Sequence, residues 1–266
     1  CKTLFNNLLL WLHENDYLNT IDNTNFKKLF EVKLNKEIRN SKIQDLKKSV
    51  LLNIFNNLLT KHDFQSNLHI YFDNFKQLLR KRPMRNISGI TSVTIILHPF
   101  PDGQKFSCKH DCFYCPNEPA HQGNNWQAQP RSYLFWEPAV QRANRWEFNA
   151  IQQMFDRLDA YFANGHTIDK LELIIEGGTF TEFPVPYLER FMRDLIYAAN
   201  IYLEVRKLYP NYDNFEIGDL DLDLLKHIRK PATVQEEIQI NKTSKIHIIG
   251  NCIETRPDAI NKEWLE

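Results

Sequence analysis

Residues 92–115 read SVTIILHPFPDGQKFSCKHDCFYC. The first six, Ser92 to Leu97, are a β-branched apolar run, which predicts a short buried strand. After it the sequence predicts a long loop, from His98 to about Tyr133. Three cysteines fall in that loop, Cys108, Cys112 and Cys115, at spacing C-x3-C-x2-C. The alternation of strand and helix continues beyond them. Residues 137–164 carry a helical pattern that stops near Asn164-Gly165, with Glu137-Pro138 as its start and Arg142 as a structural residue. Leu171 to Ile175 reads as a second buried strand, closed by Gly177-Gly178. A helix is expected over about 185–208, an acidic loop over 209–222, a helix interrupted near Pro231 over about 223–241, and a third strand over 245–253. Strands separated by long helices imply βαβ units and a parallel sheet. The predicted class is therefore α/β. Three such strands are about half of a (β/α) barrel, so the expectation is the first part of one.

The front of the chain has another texture. Leu4, Phe5, Leu8, Leu9 and Leu12 recur at spacings of three and four, and so do Leu51, Ile54, Phe55, Leu58 and Leu59. This is the period of an amphipathic helix. No proline precedes Pro83 and no glycine precedes Gly89, so little interrupts it. The predicted organisation is an all-helical region over 1–80 and an α/β region over 81–266.

The 266 residues are 42% apolar and 25% charged, ordinary for a globular chain with a real core. No apolar run approaches the roughly 18 residues of a membrane span, so no membrane partner is expected. The net charge is zero, which excludes a uniformly basic nucleic-acid coat. The zero hides an asymmetry. Residues 1–90 hold 15 Lys and Arg against 8 Asp and Glu, and residues 91–266 hold 18 against 25. A basic front and an acidic back suit different partners, and solvated helix faces explain them equally well. The chain opens at Cys1 with no visible signal peptide and stops at Trp264-Leu265-Glu266, where a helical pattern begins. The expectation is a fragment at both ends.

The five cysteines are odd in number and the chain is not small, which argues against a disulfide framework. Three within eight residues favour a metal or cluster site in a reducing compartment, here the cytoplasm. Three thiolates on one short loop can wrap three irons of a 4Fe–4S cube and leave the fourth open for a ligand. Structural zinc needs four ligands, and the fourth would have to be His98, His110 or His121. The position after the first strand of a parallel sheet, with Tyr114 directly before the third cysteine, favours the cluster. Cys252 reads as a buried strand cysteine, and Cys1 has no assigned role.

Taken with its flanking motifs, the loop resembles that of radical S-adenosylmethionine enzymes. The motifs are KRPMRNISG over 81–89, CFYCP over 112–116, SYLFWEPA over 132–139 with Arg142-Ala143, GHTIDKLE over 165–172, GGTF over 177–180 and IETRPD over 253–258. In that order, they resemble the catalytic subunit of Elongator and its single-chain relatives, which are tRNA uridine carboxymethyltransferases. The resemblance covers roughly residues 75–266. It implies a radical S-adenosylmethionine barrel, a 4Fe–4S cluster on Cys108, Cys112 and Cys115, and S-adenosylmethionine held near Tyr114, Gly177, Gly178, Thr179, Glu254 and Arg256. It also implies tRNA as substrate, with Lys81, Arg82 and Arg85 contacting phosphates beside the barrel entrance. Acetyl-CoA would be cosubstrate, its methyl carbon adding to carbon 5 of the wobble uridine. The acetyltransferase-like domain of the family is not in this sequence, and no residue here identifies an acetyl-CoA site. Accessory subunits are further implied partners. Three readings compete: a radical S-adenosylmethionine enzyme with another substrate, a non-catalytic paralogue that binds tRNA or a partner, and a zinc-binding domain.

Overall fold

The leucines and phenylalanines spaced three and four apart at the front of the chain do lie on helices in the computed structural model. It describes residues 2–15, 24–41, 46–59, 66–82, 87–208 and 222–264. Two units emerge, residues 1–87 with 160–167 and residues 88–159 with 168–266. The first contains α1 (Lys2–Glu14), α2 (Thr24–Asn40), α3 (Lys48–Leu59), a 3-10 turn (Ser66–Tyr71) and α4 (Phe72–Leu79). Their apolar stripes meet in one core of Leu4, Phe5, Leu8, Phe30, Leu51, Phe55, Phe75 and neighbours. Phe75 is its hub, fully buried, with ring centroids 4.7 Å from Phe55 and 5.9 Å from both Phe5 and Phe30. Offset and edge-on aromatic pairs of this kind add to the gain from burial alone.

The second unit is the expected α/β arrangement. Strands β1 (Thr91–Ile96), β2 (Lys170–Glu176) and β3 (His247–Ile253) form one parallel sheet in the order β1-β2-β3. Between β1 and β2 run α5 (Pro138–Arg145) and α6 (Ala150–Ala163). Between β2 and β3 run α7 (Val185–Leu208), α8 (Leu222–Ile228) and α9 (Val234–Asn241). One face of β1 and β2 is fully buried through Val93, Ile95, Leu171, Leu173 and Ile175. The other face is half-buried and partly polar, and there Ser92 Oγ bonds Glu172 Oε2 at 3.1 Å.

Four local features differ from the sequence reading or extend it. The helix expected over 137–164 is two helices. Trp146 to Asn149 break it, with Glu147 and Phe148 at φ +49° and +59°, and Asn149 Oδ1 then accepts the Gln152 amide to start α6. Pro138 opens α5 as expected, because a missing N–H costs nothing in a first turn. Arg142 is structural, donating to Thr94 O at 2.6 Å. The break near Pro231 is braced by Glu237, fully buried, which accepts from Arg229, the Ala232 amide and Asn200 of α7. Burial alone would raise its pKa, but these bonds hold it below the usual carboxylate value.

Cys252 corrects an expectation: it is exposed. It pairs in register with Ile174, and β3 is an edge strand among the described residues, so no neighbour covers that position. A register shift lies just before it. Leu171 faces Ile248 and Glu172 faces Gly250, so Ile249 has no partner in β2. Residues 209–221, where an acidic loop is expected, lie outside the described residues, as does Arg85.

Candidate functional site

In a parallel sheet all strands end at the same edge, and that edge is where ligands bind. Here it gathers the loop after β1, the turn Gly177-Gly178-Thr179 after β2, and Glu254 to Asp258 after β3. Each loop is tied to another. Gly177 and Gly178 adopt φ +128° and +123°. A Cβ on Gly177 would sit 2.9 Å from Leu97 N, and one on Gly178 would sit 3.0 Å from Ser107 O. Only glycine reaches this conformation without strain, and only glycine lets the turn lie against β1 and the chain before Cys108.

The three loop cysteines are free thiols, and each sulfur has one partner from a different segment. Cys108, buried, has Sγ 3.4 Å from Thr179 Oγ1. Cys112 Sγ accepts from Arg256 Nη1 at 2.9 Å. Cys115 Sγ accepts from Ser132 Oγ at 3.7 Å. Tyr114 is exposed, and the nearby Cys112 sulfur raises its hydroxyl pKa. The residues between the first two cysteines are anchored as well. Lys109 and His110 both meet Glu182 Oε1 at 2.9 Å, and Asp111 meets Arg131 at 3.0 Å. Behind the loop, Glu118 accepts from the Phe135 amide, Asn124 and His121. Burial opposes the charge on Glu118, and these donors still hold its pKa below the usual value.

Glu254 is the knot of the edge. Its Oε2 accepts from Tyr133 Oη at 2.6 Å, Gly177 N at 3.2 Å and Gly178 N at 3.4 Å. Its backbone accepts from Phe180 N and donates to Ile175 O. Burial, then the Glu254 carboxylate, push the Tyr133 hydroxyl far above its usual pKa. Glu176 is raised too, first by burial and then by repulsion from Glu254 and Glu137. A carboxyl raised on folding favours the native state most below its unfolded pKa, and that advantage is lost as pH rises through the folded value. Glu176→Gln is therefore expected to raise the unfolding midpoint relative to wild type at pH 8 and to lose that gain near pH 4. Equal shifts at both pH values in thermal melts would refute it.

The edge thus brings together Cys108, Cys112, Cys115, Tyr114, Gly177, Gly178, Thr179, Glu254 and Arg256. The sequence motifs give no individual role to Ser132, Tyr133, Glu182 or Asp258. Tyr133 and Glu254 are 121 positions apart, so no local pattern could pair them. Lys81 and Arg82 belong to the other unit, both exposed, with Lys81 N bonding Asn164 O.

Among the described residues, no three of Cys, His, Asp and Glu are gathered closely enough to hold a metal ion as they stand. The donor set itself fits a cluster: three free thiols on one loop, each with a hydrogen-bond donor beside its sulfur. It fits zinc less well. His98 Nδ1 accepts from the Phe100 amide, both ring nitrogens of His121 are engaged by Glu118 and Gly123, and His110, bonded to Glu182 through Nε2, is not gathered with the cysteines into a ligand group among the described residues. Among the described residues no helix is long and apolar enough to cross a membrane.

Fold and site define an α/β protein with a parallel sheet and a three-cysteine loop at its carboxyl edge. No protein-family model matches the chain, whereas individual relatives do. A tRNA uridine(34) acetyltransferase of Dehalococcoides mccartyi is 32% identical over 186 residues, 70% of this chain and 32% of that protein. The protein of the same name from Methanocaldococcus infernus is 29% identical over 187 residues, 70% of this chain and 28% of its own. Elongator complex protein 3 of Dictyostelium discoideum is 29% identical over 188 residues, 71% and 28%. The chain is thus homologous over about 70% of its length to the tRNA uridine(34) acetyltransferase and Elongator protein 3 group, as its motifs indicate. It spans about a third of the length of these relatives. Among solved structures, an archaeal Elongator protein 3 from Methanocaldococcus infernus with an N-terminal deletion is 20% identical at a TM-score of 0.39, covering 66% of this chain and 25% of that one.

Proposed function

We propose that this chain carries the cluster-binding part of a transferase that modifies the wobble uridine of tRNA by radical S-adenosylmethionine chemistry. The observation that carries the reading is the C-x3-C-x2-C loop at the carboxyl end of β1, packed through Cys108 and Ser107 against Thr179 and Gly178 at the end of β2. The names of its relatives support a tRNA uridine as substrate.

Cys108, Cys112 and Cys115 would hold the 4Fe–4S cluster. When bound, cluster and S-adenosylmethionine supply one-electron cleavage of the sulfonium and a carbon radical able to abstract hydrogen. The chain's own residues have defined tasks around them. Thr179, Arg256 and Ser132 donate to the three sulfurs and orient them. Gly177 and Gly178, buried against Leu97 and Ser107, form the turn that would face the methionine end of S-adenosylmethionine, and Glu254 fixes that turn by taking both amides. Tyr114 stands exposed between the second and third cysteines, where a flat adenine can stack. Lys81, Arg82 and Arg85 supply basic groups for tRNA phosphates. The substrate base has to be unstacked, which suits an anticodon loop. The cosubstrate in this reading is acetyl-CoA, the product is carboxymethyluridine, and accessory subunits are partners. The setting is a reducing compartment, the cytoplasm.

Anaerobic reconstitution with iron and sulfide tests the proposal. The expected result is about four irons per chain and a reduced-cluster paramagnetic signal that shifts when S-adenosylmethionine is added. About one zinc and no cluster under the same conditions would overturn it.

A further inference from the structure

The three loop sulfurs are not equivalent. Cys108 and Cys115 lie beside neutral hydroxyls, Thr179 and Ser132, at 3.4 and 3.7 Å. Cys112 alone has a charged donor, and that donor is 2.9 Å away. Exposed arginines usually swing freely and contribute little. Arg256 does not have that freedom. Asp258 grips it at two points, Nε to Oδ1 at 3.0 Å and Nη2 to Oδ2 at 2.6 Å. The planar guanidinium is then fixed by its fork, and the remaining nitrogen, Nη1, is directed at the sulfur. Pro257 lies between Arg256 and Asp258 and starts a 3-10 turn, Pro257–Ala259, which sets the backbone that presents both side chains.

From this geometry we infer that Arg256, oriented by Asp258, is a positioning residue for Cys112 and not a ligand of the S-adenosylmethionine carboxylate. The inference rests on the functional reading above. Its physical content is a shift of electron density. A cation donating a hydrogen bond to a thiolate sulfur withdraws charge from whatever that sulfur ligates, which stabilises the reduced form and raises the reduction potential. A cluster held by this loop is thereby polarised at its Cys112 corner. Asp258 partly offsets the charge, so its main effect is orientation: without it the guanidinium is free to leave the sulfur.

The test uses Arg256→Gln, Arg256→Lys and Asp258→Asn in the reconstituted protein. Two quantities are read: the reduction potential by spectroelectrochemical titration, and the dissociation constant for S-adenosylmethionine. The expected result is a more negative potential in Arg256→Gln and Asp258→Asn, with affinity within about twofold of wild type. Arg256→Lys should restore part of the potential, since it restores charge without the fork. If Arg256→Gln loses its iron while Arg256→Lys retains it, the inference also stands, because the cation is then needed to hold Cys112. An unchanged potential with affinity weakened about tenfold or more overturns it, and Arg256 then belongs to the cofactor carboxylate. No change in either quantity overturns it as well and leaves a surface ion pair. A wild-type protein that takes up no cluster is a separate failure, of the functional reading itself.

Discussion

Replacing any one of Cys108, Cys112 or Cys115 with alanine is expected to reduce cluster content from about four irons per chain to background, because a site-differentiated cube has only three protein ligands to lose. The loss should be all-or-none and the same for all three. Cys252→Ala is the control, since Cys252 is exposed on β3 and pairs only with Ile174 in the sheet. Iron and sulfide analysis after reconstitution decides the matter, and no substrate is required. Retention of a full cluster by any of the three variants would show that the loop is not the ligand set. Folding should survive the exchange, since the Cys112 and Cys115 sulfurs are half-exposed and neither lies in the hydrophobic core.

The second large effect falls on the glycine turn. Gly177→Ala is expected to cost about 2–4 kcal/mol, combining a φ that only glycine tolerates with a Cβ driven into Leu97, the residue after β1. The close atoms are Leu97 N at 2.9 Å, Cβ at 3.0 Å and O at 3.1 Å, all held by the backbone, so they cannot step aside as the far end of a side chain would. Gly178→Ala meets Ser107 O at 3.0 Å and should displace the chain just ahead of Cys108. Its signature is weaker cluster retention in addition to lower stability. Gly250→Ala is the control, with nothing within 4 Å of the added carbon. Chemical denaturation of the three variants is sufficient. A Gly177→Ala protein within about 0.5 kcal/mol of wild type would remove the argument.

Much of this fold is legible in the amino-acid order. The strands expected at 92–97, 171–175 and 245–253 are each found within about two residues, because a short β-branched apolar run between helical patterns has few other fates. The front helices are equally clear from their stripes. Local pattern misleads where a few residues decide. Trp146 to Asn149 break a helix without proline or glycine, and only two positive φ values reveal it. Cys252 sits in an apolar run that suggests burial, yet burial depends on whether another strand lies beside it.

The spacing of the three loop cysteines and the βαβ order are legible in the sequence alone, since both depend on near neighbours in the chain. The partners of those residues are decided only by the tertiary structure. Glu254 meets Gly177, Gly178 and Tyr133, and Arg256 meets Cys112, across separations of 76 to 144 positions. These contacts follow from strand register. In a sheet a slip of one residue turns a side chain to the opposite face. The unpaired Ile249 is one such slip, placed just ahead of the strand end that carries Glu254 and Arg256.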